Sequence, residues 1–164
     1  MDLTPALIAI AVPLAIGWMT RAAKPDAALV AGRRIATYSK PFKAFAIGTC
    51  VLAASPLVVI PFRPAEEALP LLAIAGIFAL PGGLLLAYAL RMYIAWSDAG
   101  IEWRTPWRPA RSVPWSDIRS VTDVRARGWY AIETAGSGKI KAYTMMSGVP
   151  ALIDELKGRG LRVR

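Results

Sequence analysis

The side chains that most often carry out chemistry in proteins are scarce in this sequence of 164 residues. It contains no histidine and a single cysteine, Cys50, which lies in an apolar segment. Without histidine the chain lacks the commonest general base and the commonest metal ligand, so it cannot build a zinc site or a Ser-His or Cys-His nucleophile pair. A lone thiol at the depth of a lipid bilayer forms no disulfide within the chain and is poorly placed to ionise.

The remaining patterns that resemble reactive sites are weak. Residues 136–139, Gly-Ser-Gly-Lys, resemble the end of a phosphate-binding loop. The full motif needs a glycine where Glu133 stands and a serine or threonine where Ile140 stands, so a plain hairpin turn is expected. The acidic residues Asp117, Asp123 and Glu133 lie among predicted strands without a partner that would make a catalytic pair. We therefore expect no enzymatic activity, no metal site and no cofactor.

Basic side chains are the remaining candidates for binding. Lys139 and Lys141 alternate along one predicted strand and so share a face, while Arg104, Arg108 and Arg111 bracket a predicted turn. Arginine forks match phosphate oxygens, which favours a site for a lipid headgroup or for a partner. The alternative is a solvated basic face that lies near anionic lipid only because a membrane anchor holds it there. The sequence leaves both interpretations open.

The overall composition indicates a membrane protein. The chain is 55% hydrophobic and only 19% charged, against about 25% charged residues in ordinary soluble domains. Its net charge of +9 would suggest nucleic acid as a partner for a soluble protein. In a membrane protein, basic residues collect in cytoplasmic segments and beside anionic headgroups. We therefore expect contact with anionic lipid and no binding of nucleic acid.

Three uncharged segments are long enough to cross a bilayer: residues 3–19, 44–62 and 69–90. The first could also be a signal peptide, but a signal peptide carries a positive charge ahead of its apolar run, where this chain has Asp2. An uncleaved transmembrane helix is favoured. The short connection between the second and third segments predicts an antiparallel hairpin. None of the three contains a charged residue, which argues against an ion or proton pathway.

The charges between these segments predict the orientation. Residues 20–43 contain six basic residues and one acidic residue, residues 63–68 contain one basic and two acidic, and the chain after residue 90 contains thirteen basic and seven acidic. Positive segments prefer the cytoplasmic side, so we expect the N-terminus outside and the C-terminal part in the cytoplasm. Residues 20–43 are predicted as a basic cytoplasmic loop, in which residues 26–39 form either a short interfacial helix or a solvated chain.

The chain divides into a transmembrane region, residues 1–92, and a small cytoplasmic module, residues 93–164. The module is predicted as an antiparallel β domain, with two strands flanking the Gly-rich break at residues 135–138. It ends in one helix at about residues 148–157. There the apolar residues recur at the i, i+3, i+4, i+7 spacing of a helix that buries one face, at Val149, Leu152, Ile153 and Leu156.

The module resembles the pleckstrin-homology-like (PH-like) domains of small bacterial membrane proteins. The resemblance covers about residues 93–159 and is strongest in Trp115-Ser-Asp117-Ile118 followed by Val121. It implies a β-barrel-like domain closed by a C-terminal helix. Such a domain has seven strands, whereas five or six are counted here, so a short or open barrel is expected. The residues expected to define this fold are Gly100, Trp115, Asp117, Ile118, Val121, Leu152 and Leu156.

These observations predict a multi-pass protein of the bacterial inner membrane that presents a PH-like interaction module at the cytoplasmic surface. We expect it to bind a protein partner, to act as an accessory subunit of a membrane complex, or to form a homo-oligomer. The alternative is a module that binds or senses anionic lipid headgroups. The spans are rich in alanine and glycine, which allow close contact between helices and favour a protein partner.

Overall fold

The computed structural model describes residue 14 and residues 17–18, 21–23 and 26–164. The predicted first span, residues 3–19, therefore lies outside the described residues except for three positions.

Two long helices lie side by side as a hairpin, α1 (Lys40–Val59) and α2 (Ala65–Arg91), joined through a 3-10 turn at Ile60–Phe62. Both are long and apolar enough to cross a membrane. They approach closely because small residues lie between them: a methyl group added at Gly82 would lie 3.2 Å from the side chain of Thr49. The second and third predicted spans are confirmed as helices of this length and composition.

The segment predicted as a basic loop, residues 20–43, contains two strands, and the interfacial helix considered within it does not form. Strand β1 (Ala28–Val30) and strand β2 (Arg33–Tyr38) pair as a hairpin. Ala31 and Gly32 make the two-residue turn with positive φ angles of 49° and 75°, the geometry that matches the twist of paired strands. From Ile35 to Tyr38 the side chains of β2 alternate between partly exposed and buried, as in a strand that buries one face.

The rest of the β structure follows the helical hairpin and forms two antiparallel sheets. Its strands are β3 (Tyr93–Ser97), β4 (Gly100–Thr105), β5 (Arg108–Pro114), β6 (Ile118–Val124), β7 (Trp129–Thr134), β8 (Gly138–Tyr143) and β9 (Met146–Ser147). The first sheet has the order β1-β2-β3-β4-β5, with β9 also pairing with β2. The second sheet has the order β6-β7-β8, which confirms the hairpin predicted around residues 135–138.

Strand β2 pairs with β3 although the whole helical hairpin separates them in sequence. Thr37 lies opposite Tyr93, and Ile35 lies opposite Ala95. Since α1 begins at Lys40 and α2 ends at Arg91, the hairpin leaves and re-enters the sheet between two adjacent strands. The first sheet is therefore built from both sides of the predicted transmembrane segments.

One C-terminal helix, α3 (Val149–Gly158), packs on the sheets, which confirms the helix predicted at about residues 148–157. Its apolar stripe is buried, and Leu152 and Leu156 have no exposed surface. The helix starts at Gly148, whose φ of 89° places it in the left-handed region. A methyl group there would lie 2.9 Å from the Cα of Ala27, so the chain before β1 closes over the start of the helix.

The predicted fold-defining residues occupy different layers. Ile118 and Val121 are buried in the core that α3 covers. Trp115 is only half-buried and lies against the edge of that core, where its Nε1 donates a hydrogen bond to the Ser97 carbonyl at 2.8 Å. Asp117 ends a 3-10 turn, and its backbone carbonyl accepts a hydrogen bond from the Ala135 amide at 2.8 Å.

The core continues from the sheets into the ends of the two long helices. Ala46 of α1, Ala89 of α2 and Met92 are buried in the same cluster as the strands. The Tyr38 ring stacks on Phe42 with ring centroids 4.3 Å apart. Because this apolar packing leaves no flexible linker between hairpin and sheet, the orientation of the module on the hairpin is set by the fold.

Candidate functional site

The register of the strands shows which end of the first sheet faces the helical hairpin. Tyr93 follows the end of α2 by two residues and lies opposite Arg104. Thr105 then lies opposite Arg108 across a short turn. Arg104 and the β4–β5 turn therefore lie at the end of the sheet where α1 starts, at Lys40, and where α2 ends, at Arg91. We call this the hairpin-side end of the module.

The second sheet reaches the same end through a row of aromatic rings. Tyr143, at the end of β8, lies with its ring centroid 6.3 Å from that of Tyr38. Trp129 packs edge-on against Tyr143 at 6.1 Å, and the Lys141 ammonium lies 4.9 Å above the Trp129 ring. Burial raises the pKa of both Tyr38 and Tyr143, so these rings stay neutral at physiological pH.

The five predicted binding residues do not form one cluster, because they lie on two different sheets. Arg104 and Arg108 lie at the hairpin-side end, and Lys141 approaches it on the second sheet. Arg111 is exposed further along β5, opposite the buried Trp103. Lys139 lies towards the opposite end of the second sheet, beside the β7–β8 turn.

Lys139 is occupied by a local ion pair. Its ammonium lies 2.8 Å from the Glu133 carboxylate, directly across the β7–β8 ladder. The hydrogen bond from Lys139, followed by one from the Ser120 hydroxyl, lowers the pKa of Glu133. Lys139 and Lys141 do share the exposed face of β8, as the alternation predicts, but only Lys141 is turned towards the aromatic row.

A second group of side chains, which the sequence did not reveal, surrounds a cleft on the outer face of the first sheet. The cleft has a volume of about 340 Å³. Arg33 on β2, Glu102 on β4 and Tyr93 on β3 lie on its floor, with Lys43 of α1 and Leu90 of α2 beside them. We call it the outer-face cleft. It lies where the two long helices meet the sheet.

Glu102 is the centre of the polar groups in the outer-face cleft. One carboxylate oxygen accepts a hydrogen bond from Arg33 at 2.9 Å, and the other accepts one from the Tyr93 hydroxyl at 2.6 Å. This hydrogen bond to Glu102, followed by burial, raises the pKa of Tyr93, while the positive charges of Arg104 and Arg33 oppose the shift. Each oxygen of Glu102 thereby accepts one hydrogen bond, one from Tyr93 on the adjacent strand β3 and one from Arg33 on β2, one strand further away.

The sequence could not show this group because its members come from both sides of the hairpin. Arg33 and Glu102 are 69 positions apart, and they meet only through the pairing of β2 with β3. The one available signal was the alternation of Arg33–Tyr38 after a two-residue Ala-Gly turn. That signal is short and lies in a segment whose charge favoured a loop.

The opposite end of the module is a closed structural corner. The Arg159 guanidinium, at the end of α3, lies 4.2 Å above the Trp115 ring and donates to Glu155 at 2.8 Å. Trp115 in turn donates a hydrogen bond to the Ser97 carbonyl, so these groups connect the helix to the β3–β4 turn.

No protein-family model matches the sequence, and no curated protein or solved structure matches the chain.

Proposed function

We propose that the chain is an integral protein of the bacterial cytoplasmic membrane that presents a PH-like module at the cytoplasmic surface to a protein partner, as an accessory subunit of a membrane complex. The observation that carries the proposal is the pairing of β2 with β3 around an apolar helical hairpin. The adjacent strands β2 and β3 each connect directly to one of the two membrane-spanning helices, so the module is attached to the membrane at two points. No flexible linker allows the module to move away from the membrane surface.

The exposure of the two helices supports their insertion into lipid. In the most apolar 18-residue stretch of Lys40–Phe62 only 17% is buried within the chain, and in that of Ala65–Arg91 only 11% is buried. The core helix of a soluble protein would be mostly buried, whereas these surfaces need a hydrocarbon environment or another helix. The chain beside Ile60–Phe62 is acidic at Glu66 and Glu67, while the sheet end is basic, which favours a cytoplasmic module.

The strand count supports the PH-like fold. The chain after Tyr93 has one long strand fewer than the seven that a PH-like domain needs, and β2 supplies the missing one beside β3. Strands β2 to β5 are then the four longer strands of the first sheet, to which the short strands β1 and β9 also belong, and β6 to β8 make the three-stranded sheet. Helix α3 buries its apolar stripe against them, as the closing helix of such a domain does.

The surface of the helical hairpin supports a partner within the membrane. A concavity of about 440 Å³ runs along both helices and is lined mainly by small side chains, among them Ala53, Ala75, Gly76, Ala79 and Gly83. Gly76 and Gly83 have open space where a side chain would project. Surfaces of this kind let the backbone of another helix approach closely, which is how helices associate in lipid.

Purification in mild detergent followed by mass spectrometry tests the proposal. We expect a stoichiometric protein to accompany the wild-type chain and to be lost in Gly83→Leu, which fills the concavity. Gly48→Leu is the matched control, because Gly48 also has open space around it and lies outside the concavity. Recovery of the chain with lipid but without any stoichiometric protein would contradict the partner proposal.

Binding of anionic lipid headgroups is the second candidate, favoured by the composition of the hairpin-side end. Arg104 and Arg108 lie there beside Trp107, which is 63% exposed, and Lys141 lies over the Trp129 ring on the second sheet, which approaches the same end. Basic residues interleaved with tryptophan are typical of protein surfaces at the headgroup level of a bilayer. The test needs the whole chain, because residues 93–164 alone lack β2.

A further inference from the structure

The outer-face cleft lies across the boundary between apolar and polar surface. The exposed Leu90 and the buried Ala89 contribute the last turn of α2, which is the end of a candidate membrane span. Arg33 and Glu102 contribute the polar surface of the sheet on the other side. A ligand seated there would contact hydrocarbon-facing and charged surfaces at once, as a phospholipid at the edge of the bilayer does.

The charges around the cleft are unbalanced. Arg33 and Lys43 line it, and Arg104 lies beside it opposite Tyr93, whereas Glu102 is the one acid among the lining residues of the described chain. The two oxygens of Glu102 are already engaged by Arg33 and Tyr93. Glu102 therefore fixes the Arg33 guanidinium in place and leaves its remaining N–H groups free to donate.

Lys43 is the most informative of these cations. It is half-buried in the first turns of α1, and within the described part of the chain no carboxylate lies within ion-pairing distance of its ammonium. Because Lys43 lines the cleft, its ammonium can donate hydrogen bonds to an anion seated there. An anionic ligand in the cleft would supply the missing partner, and Leu90 in the last turn of α2 lines the same cleft.

We propose that the outer-face cleft binds one anionic phospholipid, with its phosphate oxygens accepting hydrogen bonds from Lys43, Arg33 and Arg104 and its glycerol and upper acyl chain lying against Leu90. This inference rests on the proposed insertion of the hairpin into the membrane and deepens the lipid-binding candidate. The site is a single cleft on the face of the sheet, distinct from a diffuse attraction of all basic residues to the surface.

Native mass spectrometry of the full chain, released from detergent containing equal amounts of phosphatidylglycerol and phosphatidylcholine, tests the proposal. We expect one phosphatidylglycerol to be retained in preference to phosphatidylcholine. Lys43→Gln with Arg104→Gln should lower that affinity at least about tenfold, the effect of losing one charge-assisted hydrogen bond. The matched control Arg111→Gln with Lys139→Gln removes two cations outside the cleft and should leave the affinity unchanged.

An equal loss in both double variants, or no preference for phosphatidylglycerol in the wild-type chain, would overturn the proposal. Circular dichroism of the Lys43 and Arg104 variant shows whether it is folded, and Lys43→Arg should restore binding if the charge is what matters. Added glycerol 3-phosphate should not displace the lipid if the acyl contacts at Leu90 contribute. Alkaline carbonate extraction distinguishes failure of the lipid site from failure of membrane insertion. Release of the chain from membranes by carbonate would contradict insertion of the hairpin. A chain that stays in the membrane but shows no lipid preference would contradict only the proposed lipid site.

Discussion

Glu102 shows how single residues connect the parts of this molecule. Its carboxylate accepts one hydrogen bond from Arg33, on the strand before the helical hairpin, and one from Tyr93, on the strand after it. Neither contact is buried enough to be a strong source of stability by itself, since an exposed ion pair contributes about 0–1 kcal/mol. Their role is to fix the positions of the cations around the outer-face cleft.

The hydrogen bond from Tyr93 to Glu102 predicts a pH-dependent stability. Because the pKa of Tyr93 is raised above 10.0 in the folded chain, its contribution is fully present below pH 10 and is lost as pH rises through the folded pKa. We expect Tyr93→Phe to lower the free energy of unfolding by about 1 kcal/mol at pH 8. The difference from wild type should disappear in strongly alkaline solution.

Thermal unfolding of the detergent-solubilised chain measures this effect. Tyr130→Phe is the matched control, because no hydrogen bond of the Tyr130 hydroxyl is found in the described chain, and its ring stays near Arg125. If the two variants are equally stable at pH 8, the Tyr93–Glu102 hydrogen bond contributes nothing and the account of the cleft is weakened.

Gly100 is the residue at which the backbone allows the least change. Its φ is 152°, and a methyl group there would overlap the carbonyl oxygen of Val113 on the neighbouring strand. We expect Gly100→Ala to destabilise the module by about 2 kcal/mol, since strain and overlap of backbone atoms act together. Gly136→Ala, at an open position in the β7–β8 turn, should change the melting temperature little. Equal melting temperatures for the two variants would contradict the observed backbone geometry.

At the scale of elements, the sequence predicted those segments that carry a long or periodic signal. The two helices of the hairpin are uncharged over many residues, and α3 repeats its apolar residues at helical spacing through Leu152 and Leu156. The β7–β8 hairpin was predicted from its Gly-rich turn. In each case the information lies within one stretch of chain, so neighbouring residues are sufficient to define the element.

Strands β1 and β2 were missed because their stability comes from residues far away in sequence. Arg33–Tyr38 carries two arginines, and Ile35 and Tyr38 are its only large apolar or aromatic side chains, so its local pattern is weak. It becomes a strand because β3, which follows the whole helical hairpin, pairs with it through Thr37 and Tyr93. The outer-face cleft shares this origin: Arg104 beside it was named from the sequence, whereas Arg33 and Lys43 come near it only in the folded chain.

The importance of β2 gives a prediction at the scale of this element. Ala36 is fully buried between the sheet and the start of α3, so Ala36→Asp places a charge in the core. We expect loss of the near-ultraviolet circular dichroism of the module and a destabilisation of about 3 kcal/mol or more. The control Leu29→Asp, at an exposed position of β1, should remain native. A native spectrum for Ala36→Asp would show that β2 is dispensable.

At the scale of the whole molecule, the module and the helical hairpin share one apolar core. Tyr38, Phe42, Ala89 and Met92 join their cores without a linker. The domain predicted as residues 93–164 therefore lacks a strand that its first sheet needs. A small domain of this size has little stability to spare, so the missing strand should decide whether it folds.

Two soluble fragments test this dependence. Residues 93–164 alone should show no cooperative thermal unfolding. Residues 26–39 joined by a short Gly-Ser linker to Tyr93 should regain it, because β1 and β2 are then restored next to β3. Cooperative unfolding of the shorter fragment with the same midpoint as the longer one would contradict the role assigned to β2.

We propose that strands β2 and β3, before and after the helical hairpin, lie on one side of the membrane, and that the connection at Ile60–Phe62 lies on the other side. Single cysteines introduced into a Cys50→Ser background test it directly, at the exposed positions Val30, Gly136 and Glu66. In intact bacterial cells an impermeant maleimide should label Glu66→Cys alone, and in permeabilised cells it should label all three. Labelling of Val30→Cys and Gly136→Cys from opposite sides of the membrane would contradict the account.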